Sequence, residues 1–145
     1  MNARPLHILL VEDNPDHAEL VRRGLENFPA AIVLHHVEDG EAALNFIFGH
    51  GAYADRKCFP APDLVLLDLR LPRLGGLEVL RQVKCHPTQC HTPVVVLTTS
   101  DTERDVALAR ECHAKIFMTK PVDFQRLHET IYQLGFSPPA WHNEP

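Results

Sequence analysis

Residues Pro62 to Leu80 read PDLVLLDLRLPRLGGLEVL, and the fold follows from how this stretch changes character along its length. Asp63 to Leu67 (DLVLL) is a continuous apolar run without alternation, the pattern of a strand covered on both faces of a parallel sheet. It runs straight into an acid, Asp68. Leu71-Pro72 and Gly75-Gly76 then make a loop, and Leu77, Leu80 and Val83 recur at helical spacing. The unit is strand, loop and helix, with a carboxylate at the strand's carboxyl end.

The same unit recurs outward in both directions. Toward the N-terminus, Leu6 to Val11 (LHILLV) is an apolar run that ends in Glu12-Asp13. Asn14 offers an N-cap with Pro15 at the first helical position, Ala18, Val21, Leu25 and Phe28 follow, and Pro29 stops the pattern. Ala31 to Val37 is a second strand, and Asp39-Gly40 turns into a helix over Glu41 to Phe48 with Ala43, Leu44 and Ile47 inward. From His50 to Pro62 no period persists, which predicts a surface loop. Toward the C-terminus, Pro93 to Thr98 (PVVVLT) is a buried strand, and Thr99-Ser100-Asp101 are capping candidates for a helix through about Cys112. Ala114 to Met118 is a fifth strand leading to Lys120-Pro121. Asp123 caps a last helix with Phe124, Leu127, Ile131 and Leu134 on one face; Gly135 ends it, and Ser137-Pro138-Pro139 opens a tail. Five strands alternating with five helices imply right-handed crossovers and a doubly wound α/β fold whose site lies at the carboxyl ends of the strands.

Bulk properties narrow the function. A chain of 145 residues, 45% hydrophobic and 23% charged, fits one domain, residues 1–145, with a core over about 6–134 and a tail over about 135–145. Its formal net charge of -5 argues against direct binding to nucleic acid. No run is long enough for a signal peptide or a membrane span, so the expected location is cytoplasmic, away from the membrane. The four cysteines, Cys58, Cys85, Cys90 and Cys112, are expected as free thiols. Cys85-His86 and Cys90-His91 lack a Cys-x-x-Cys pair and read as a polar loop more readily than as a zinc site.

The residues that follow the strands carry the chemistry. Glu12 and Asp13 follow the first, Asp68 the third, Thr98-Thr99 the fourth and Lys120 the fifth. Clustered carboxylates repel one another and are costly without a counter-cation, and oxygen ligands with some retained waters are what Mg²⁺ prefers, so the arrangement asks for a divalent metal. A metal beside a carboxylate suits phosphoryl transfer: Lys120 neutralises the equatorial oxygens, Asp68 attacks in line, and the Thr98 hydroxyl binds the group once it has arrived. Singly, each residue has an ordinary explanation as a strand end, cap or surface side chain. Together, after four different strands, they make one site. Neither a Gly-rich phosphate loop nor a nucleophile elbow is present, which disfavours nucleotide binding and a serine hydrolase.

ILLVEDNPDH, PDLVLLDLRLPRLGGLEVL, PVVVLTTS and MTKPVD stand in the order and spacing of a known family. From about Leu6 to Leu134 the chain resembles the receiver domain of two-component response regulators. The resemblance implies a flavodoxin-like (βα)5 fold with strand order 2-1-3-4-5. It implies an acidic pocket of Glu12 and Asp13, Mg²⁺ held by Asp13, Asp68 and the main-chain carbonyl of Arg70, and phosphorylation of Asp68 by a sensor histidine kinase. Thr98 and Phe117 match the switch hydroxyl and switch aromatic, and Lys120 the lysine of the site. The chain departs from the commonest pattern at Gly75-Gly76, where Asp-Gly is usual, and at Arg70 and Thr99, positions that bear on how long the phosphoryl group lasts.

The cast of LTTSD and the His50–Pro62 loop are similar, more narrowly, to the single-domain regulators associated with bacterial and cyanobacterial phytochromes. That implies a light-regulated kinase as donor, a downstream protein or phosphotransfer partner as output, and allows a homodimer. The expected function is a signalling switch or relay that catalyses only its own phosphorylation and dephosphorylation. A metal-dependent phosphohydrolase would need a general acid where Arg70 stands. A receiver that works without phosphorylation fits the complete acidic and switch set poorly. Docking of a kinase is expected on the first helix, around Asp16, Glu19, Arg22 and Arg23.

Overall fold

The computed structural model describes residues 5–98 and 103–135. In chain order the elements are β1 (Leu6–Val11), α1 (Pro15–Glu26), β2 (Ile32–Val37), α2 (Gly40–Phe48), β3 (Leu64–Asp68), α3 (Gly76–Cys85), β4 (Val94–Thr98), α4 (Glu103–Glu111), β5 (Ile116–Thr119) and α5 (Phe124–Gln133). The sheet is parallel, in the expected order β2-β1-β3-β4-β5. Its order reverses between β1 and β3, and all five strands end on one edge.

The two-residue period of each strand divides the core into two layers. Ile8, Leu10, Leu64, Leu66, Val95 and Leu97 point to the face covered by α1 and α5, where Val21, Leu25, Leu127 and Ile131 meet them. Leu9, Val11, Val65, Leu67, Val94 and Val96 point to the other face, toward α2, α3 and Ala109 of α4. β3 and β4 are buried throughout and β1 everywhere but at His7, which explains their apolar runs; each fully buried leucine contributes about 1.5–3 kcal/mol by leaving water.

Local signals act as expected at most boundaries. The Asn14 side chain accepts from the N–H groups of Asp16 and His17 to start α1, Asp39 caps α2, and Asp123 caps α5. Gly24 lets α5 approach α1, since a Cβ there would lie 2.1 Å from the Phe124 ring. The expected inward residue Leu77 of α3 is only half-buried, and Val79 takes the buried position beside Leu80 and Val83. The capping candidates Thr99 to Asp101 lie outside the described residues, as does the Ser137-Pro138-Pro139 start of the tail.

The segment from His50 to Pro62 is more ordered than its composition suggests. It begins with a 3-10 turn at Gly51–Tyr53, and Tyr53 and Phe59 pack on Phe46 with ring centroids 5.0 and 6.0 Å away. Arg56 clasps it to α2: the guanidinium donates to the carbonyls of Phe46 (2.8 Å), Ile47 (2.6 Å) and Phe59 (3.0 Å). A cation at a helix C-terminus is favoured by the dipole and satisfies carbonyls that have no helical partner. Lys84 does the same for the loop after α3, donating to the carbonyls of Thr92 (2.8 Å) and Cys90 (3.4 Å). Next to it, His86 accepts from the Thr88 and Gln89 N–H groups and stacks on Phe48 at 4.6 Å, so the Cys85–His91 run forms a packed turn. The four cysteines are free thiols.

Candidate functional site

Glu12 extends β1 by one bond, its N–H donating to the Val37 carbonyl at 3.0 Å, and the His36 ring Nε2 donates to the Glu12 carbonyl at 2.7 Å. The strand end is therefore held on the β2 side, and its carboxylate turns inward, 1% exposed. Asp13, the next residue, is exposed. On the neighbouring strand, Asp68 is 4% exposed at the end of β3, and its Oδ1 accepts from the Arg70 N–H at 2.9 Å. One ligand oxygen from each of Glu12, Asp13 and Asp68 lies within 4.8 Å of the others, and this is the one acidic or Cys/His group of that kind among the described residues.

β4 and β5 deliver the complement. Thr98, 4% exposed, closes β4 opposite Thr119, and its carbonyl accepts from the Lys120 N–H at 2.7 Å. The side chain of Lys120 reaches back across the sheet edge. Its Nζ donates to Asp68 Oδ2 at 2.9 Å, to Glu12 Oε1, and to His17 Nδ1 at 3.2 Å. Burial alone disfavours the ammonium, but its hydrogen bonds to Asp68 and Glu12 outweigh that and hold its pKa above the ordinary value. For Glu12 burial wins: it lifts the carboxyl pKa against the bonds from Lys120 and the Asn14 N–H, and the charge of Asp68 adds to the lift.

Gly76 sets how closely α3 approaches this edge. A Cβ at that position would lie 2.5 Å from the Asp68 carbonyl oxygen and 2.6 Å from Leu69 Cα, both backbone atoms that cannot swing aside. Gly76→Ala is expected to cost about 1–3 kcal/mol through this overlap, read from the urea midpoint. Gly75→Ala is the control. Gly75 has φ -68° and nothing within 4 Å of a built Cβ, so the poorer N-cap that alanine makes and the lower entropy of its unfolded chain should leave a net change under about 1 kcal/mol.

Phe117 stands apart from the carboxylates. It is half-buried on β5, packed against the α2–α4 layer, with the Arg110 guanidinium 5.4 Å from its ring centroid. The Arg70 side chain is exposed; its main chain is what meets Asp68. Sequence reasoning missed His17 and His36, both of which touch the acidic pocket. For His17 the available signal was its place three residues beyond the cap Asn14, in the helical turn nearest the strand end.

Beside the site lies a cavity of about 390 Å³, lined by His17, Leu20 and Val21 of α1, by Pro121, Val122 and Phe124 after β5, and by Glu12 and Lys120. Leu20 is 52% exposed at its mouth. Among the expected docking residues of α1, Glu19 pairs with Arg22 and with Arg23, leaving Leu20 as an apolar spot inside a neutralised charged face.

Residues 8–132 match the model of the response regulator receiver domain. The chain belongs to the response regulator receiver family. The receiver is 37% identical over 141 residues to the probable methanogenesis regulatory protein FilR2 of Methanothrix harundinacea, covering 97% of this chain and 88% of FilR2. It is 39% identical over 127 residues to response regulator Rcp1 of Synechocystis, covering 88% of this chain and 84% of Rcp1. The crystal structure of the Mn(2+)-bound form of Rcp1 superposes with a TM-score of 0.75, covering 90% of this chain and 91% of Rcp1. The phosphorylated cyanobacterial phytochrome response regulator RcpA superposes with a TM-score of 0.78 at 34% identity, covering 90% of this chain and 91% of RcpA.

Proposed function

We propose that this receiver takes a phosphoryl group from a sensor histidine kinase onto Asp68, with Mg²⁺, and passes the signal on by phosphorylation-dependent protein contacts or by phosphorelay. The observation that carries this reading is Lys120, whose ammonium bridges Asp68 and Glu12 inside a cluster of three carboxylates at the carboxyl edge of the sheet. An Asp68 carboxylate oxygen attacks the phosphorus of the donor's phosphohistidine. The P–N bond breaks and its electron pair returns to the donor's imidazole. Lys120 balances charge on the phosphoryl oxygens, and the Thr98 hydroxyl donates to one of them once the group is in place. Thr98, with Phe117 behind it on the next strand, then distinguishes the two states.

The donor set suits Mg²⁺, being all oxygen and net acidic. Asp13, Asp68 and the Arg70 main-chain carbonyl would hold the ion. Glu12 would reach it through water, because Lys120 occupies its Oε1 and the Asn14 N–H its Oε2. When bound, the cation supplies positive charge to the developing phosphoryl group. Similarity to the Mn(2+)-bound form of Rcp1 supports a divalent ion, and similarity to RcpA supports a phytochrome kinase as donor.

Docking of the kinase on α1 and the segment after β5 fits the exposed Leu20 and the cavity behind it. The remainder of the reading is a single cytoplasmic receiver domain over residues 1–145, core about 6–134 and tail about 135–145, in an arrangement that allows a homodimer. The formal net charge of -5 supports a reading without a direct nucleic-acid partner. Among the described residues no helix is long and apolar enough to cross a membrane.

The test is intact mass after incubation with Mg²⁺ and acetyl phosphate. The expected product carries one phosphoryl group, stable to acid and lost in alkali, and does not form when EDTA replaces Mg²⁺. An unlabelled chain overturns the reading. Short-time transfer from purified kinases then identifies the donor: a red-light-sensing kinase should outpace the others, and equal rates from all would remove the phytochrome assignment.

A further inference from the structure

We infer that His17 is a positioning residue of the phosphoryl-transfer site: its Nδ1 takes the third N–H of the Lys120 ammonium and fixes where that charge sits relative to Asp68. The inference rests on the reading of Asp68 as the acceptor. An ammonium has three donors and accepts nothing. In this structure the three go to three elements: Glu12 Oε1 after β1, Asp68 Oδ2 at the end of β3, and His17 Nδ1 on α1. Because Lys120 can only donate, this bond requires the lone pair on Nδ1 and the ring proton on Nε2, against the Glu12 Oε2 that lies 3.9 Å from the same Nδ1.

The imidazole is mounted on the capped first turn of α1. The N–H of His17 and that of Asp16 both donate to Asn14 Oδ1, and the Ala18 N–H donates to the Asn14 carbonyl at 3.0 Å. Two carboxylate acceptors alone would leave a flexible lysine free to pivot about the line joining them. A third acceptor on a different element removes that freedom. As the phosphoryl group forms on Asp68, the ammonium must give its bond to Asp68 Oδ2 over to a phosphoryl oxygen. Glu12 and His17 then remain as the two points about which it turns. His17 is 41% exposed in its side chain, so an incidental surface contact is the competing account, and the experiment has to separate the two.

The full-length protein is labelled with Mg²⁺ and acetyl phosphate in wild-type, H17A and H17N forms. The amide oxygen introduced by H17N stands the same number of bonds from Cα as the histidine Nδ1 and keeps an acceptor there. H17A should label about tenfold more slowly, with H17N restored to within about twofold of wild type. H17A should add nothing in a K120M background, because the two residues act through one contact. Labelling of H17A at the wild-type rate, or of H17N as slowly as H17A, overturns the inference.

Long-range ¹H–¹⁵N spectra of the unphosphorylated protein decide the contact independently, at a pH where the ring is neutral. A single Nε2–H tautomer in wild type that becomes a mixture in K120M supports it; the same mixture in both overturns it. An unlabelled wild-type chain sinks the acceptor reading instead, and the tautomer measurement still judges the contact.

Discussion

Asp68→Asn takes up no label from acetyl phosphate under conditions in which the wild-type chain is labelled, a loss of at least about a hundredfold. The amide has the shape of the carboxylate but no nucleophilic oxygen, so the change removes the chemistry and leaves the packing. One of its two terminal atoms can still accept, either from the Arg70 N–H or from Lys120, while the other becomes a donor facing a donor. That mismatch is offset by relief at Glu12, whose carboxyl no longer faces the Asp68 charge that helps raise its pKa. The variant should remain folded, within about 1–2 kcal/mol of wild type by urea unfolding, with the Glu12 pKa moved back toward its ordinary value in an NMR titration. Undiminished label on the variant would place the acceptor elsewhere.

The second large effect is on stability. Lys120→Met strips the ammonium from between two buried carboxylates and keeps the apolar stem. Breaking a buried pair from one side costs about 3–5 kcal/mol, and the lower end applies here because Asp13 opens the pocket to water. The loss should depend on pH. Glu12 is raised above its ordinary 4.5 in the folded protein, so its protonation favours the fold below that value, and the gain disappears as pH climbs through the folded value. Without Lys120 that folded value climbs further. The deficit of the variant should therefore be larger at about pH 8 than at about pH 5 in urea titrations. Lys120 is itself raised above 10.5, so the wild type gains from it below that value and loses the gain as pH rises through the folded value. The variant should lack this alkaline limb. A pH-independent deficit would mean that packing of the stem, not charge, had been lost.

How much of this was legible beforehand depended on whether the cause was local. The apolar runs before Asp68 and Thr98, and the one before Glu12 interrupted only by His7, identify central strands because burial on both faces leaves no place for alternation. Strand order and the meeting of Asp13, Asp68 and Thr98 at one edge then follow from the family pattern. Where several residues compete for one role the reading slips. Ala114 and Lys115 looked like the start of β5, but His113 adopts φ 71° and Ala114 bonds back to Ala109, so the strand proper begins at Ile116. In α3 the buried stripe runs through Gly76, Val79, Leu80 and Val83, and Leu77 lies at its half-buried margin. The Arg56 clasp gave no signal because its acceptors are main-chain carbonyls, which any residue supplies, and the pairing of His17 with Lys120 gave none because no spacing rule joins residues 103 positions apart. Neither arginine nor histidine is rare enough on a surface to stand out.

The two cationic anchors, Arg56 on the loop before β3 and Lys84 at the end of α3, have a practical consequence. Arg56 and Lys84 both tie backbone carbonyls at the amino-terminal rim of the sheet, across the molecule from the acidic pocket. That rim is a fixed pedestal on which the reactive edge is mounted. Cys58 and Cys85 are exposed on it as free thiols. A dye placed on either should report the tumbling and assembly of the whole domain while staying blind to its chemistry, which gives the protein two built-in attachment points for watching partners come and go.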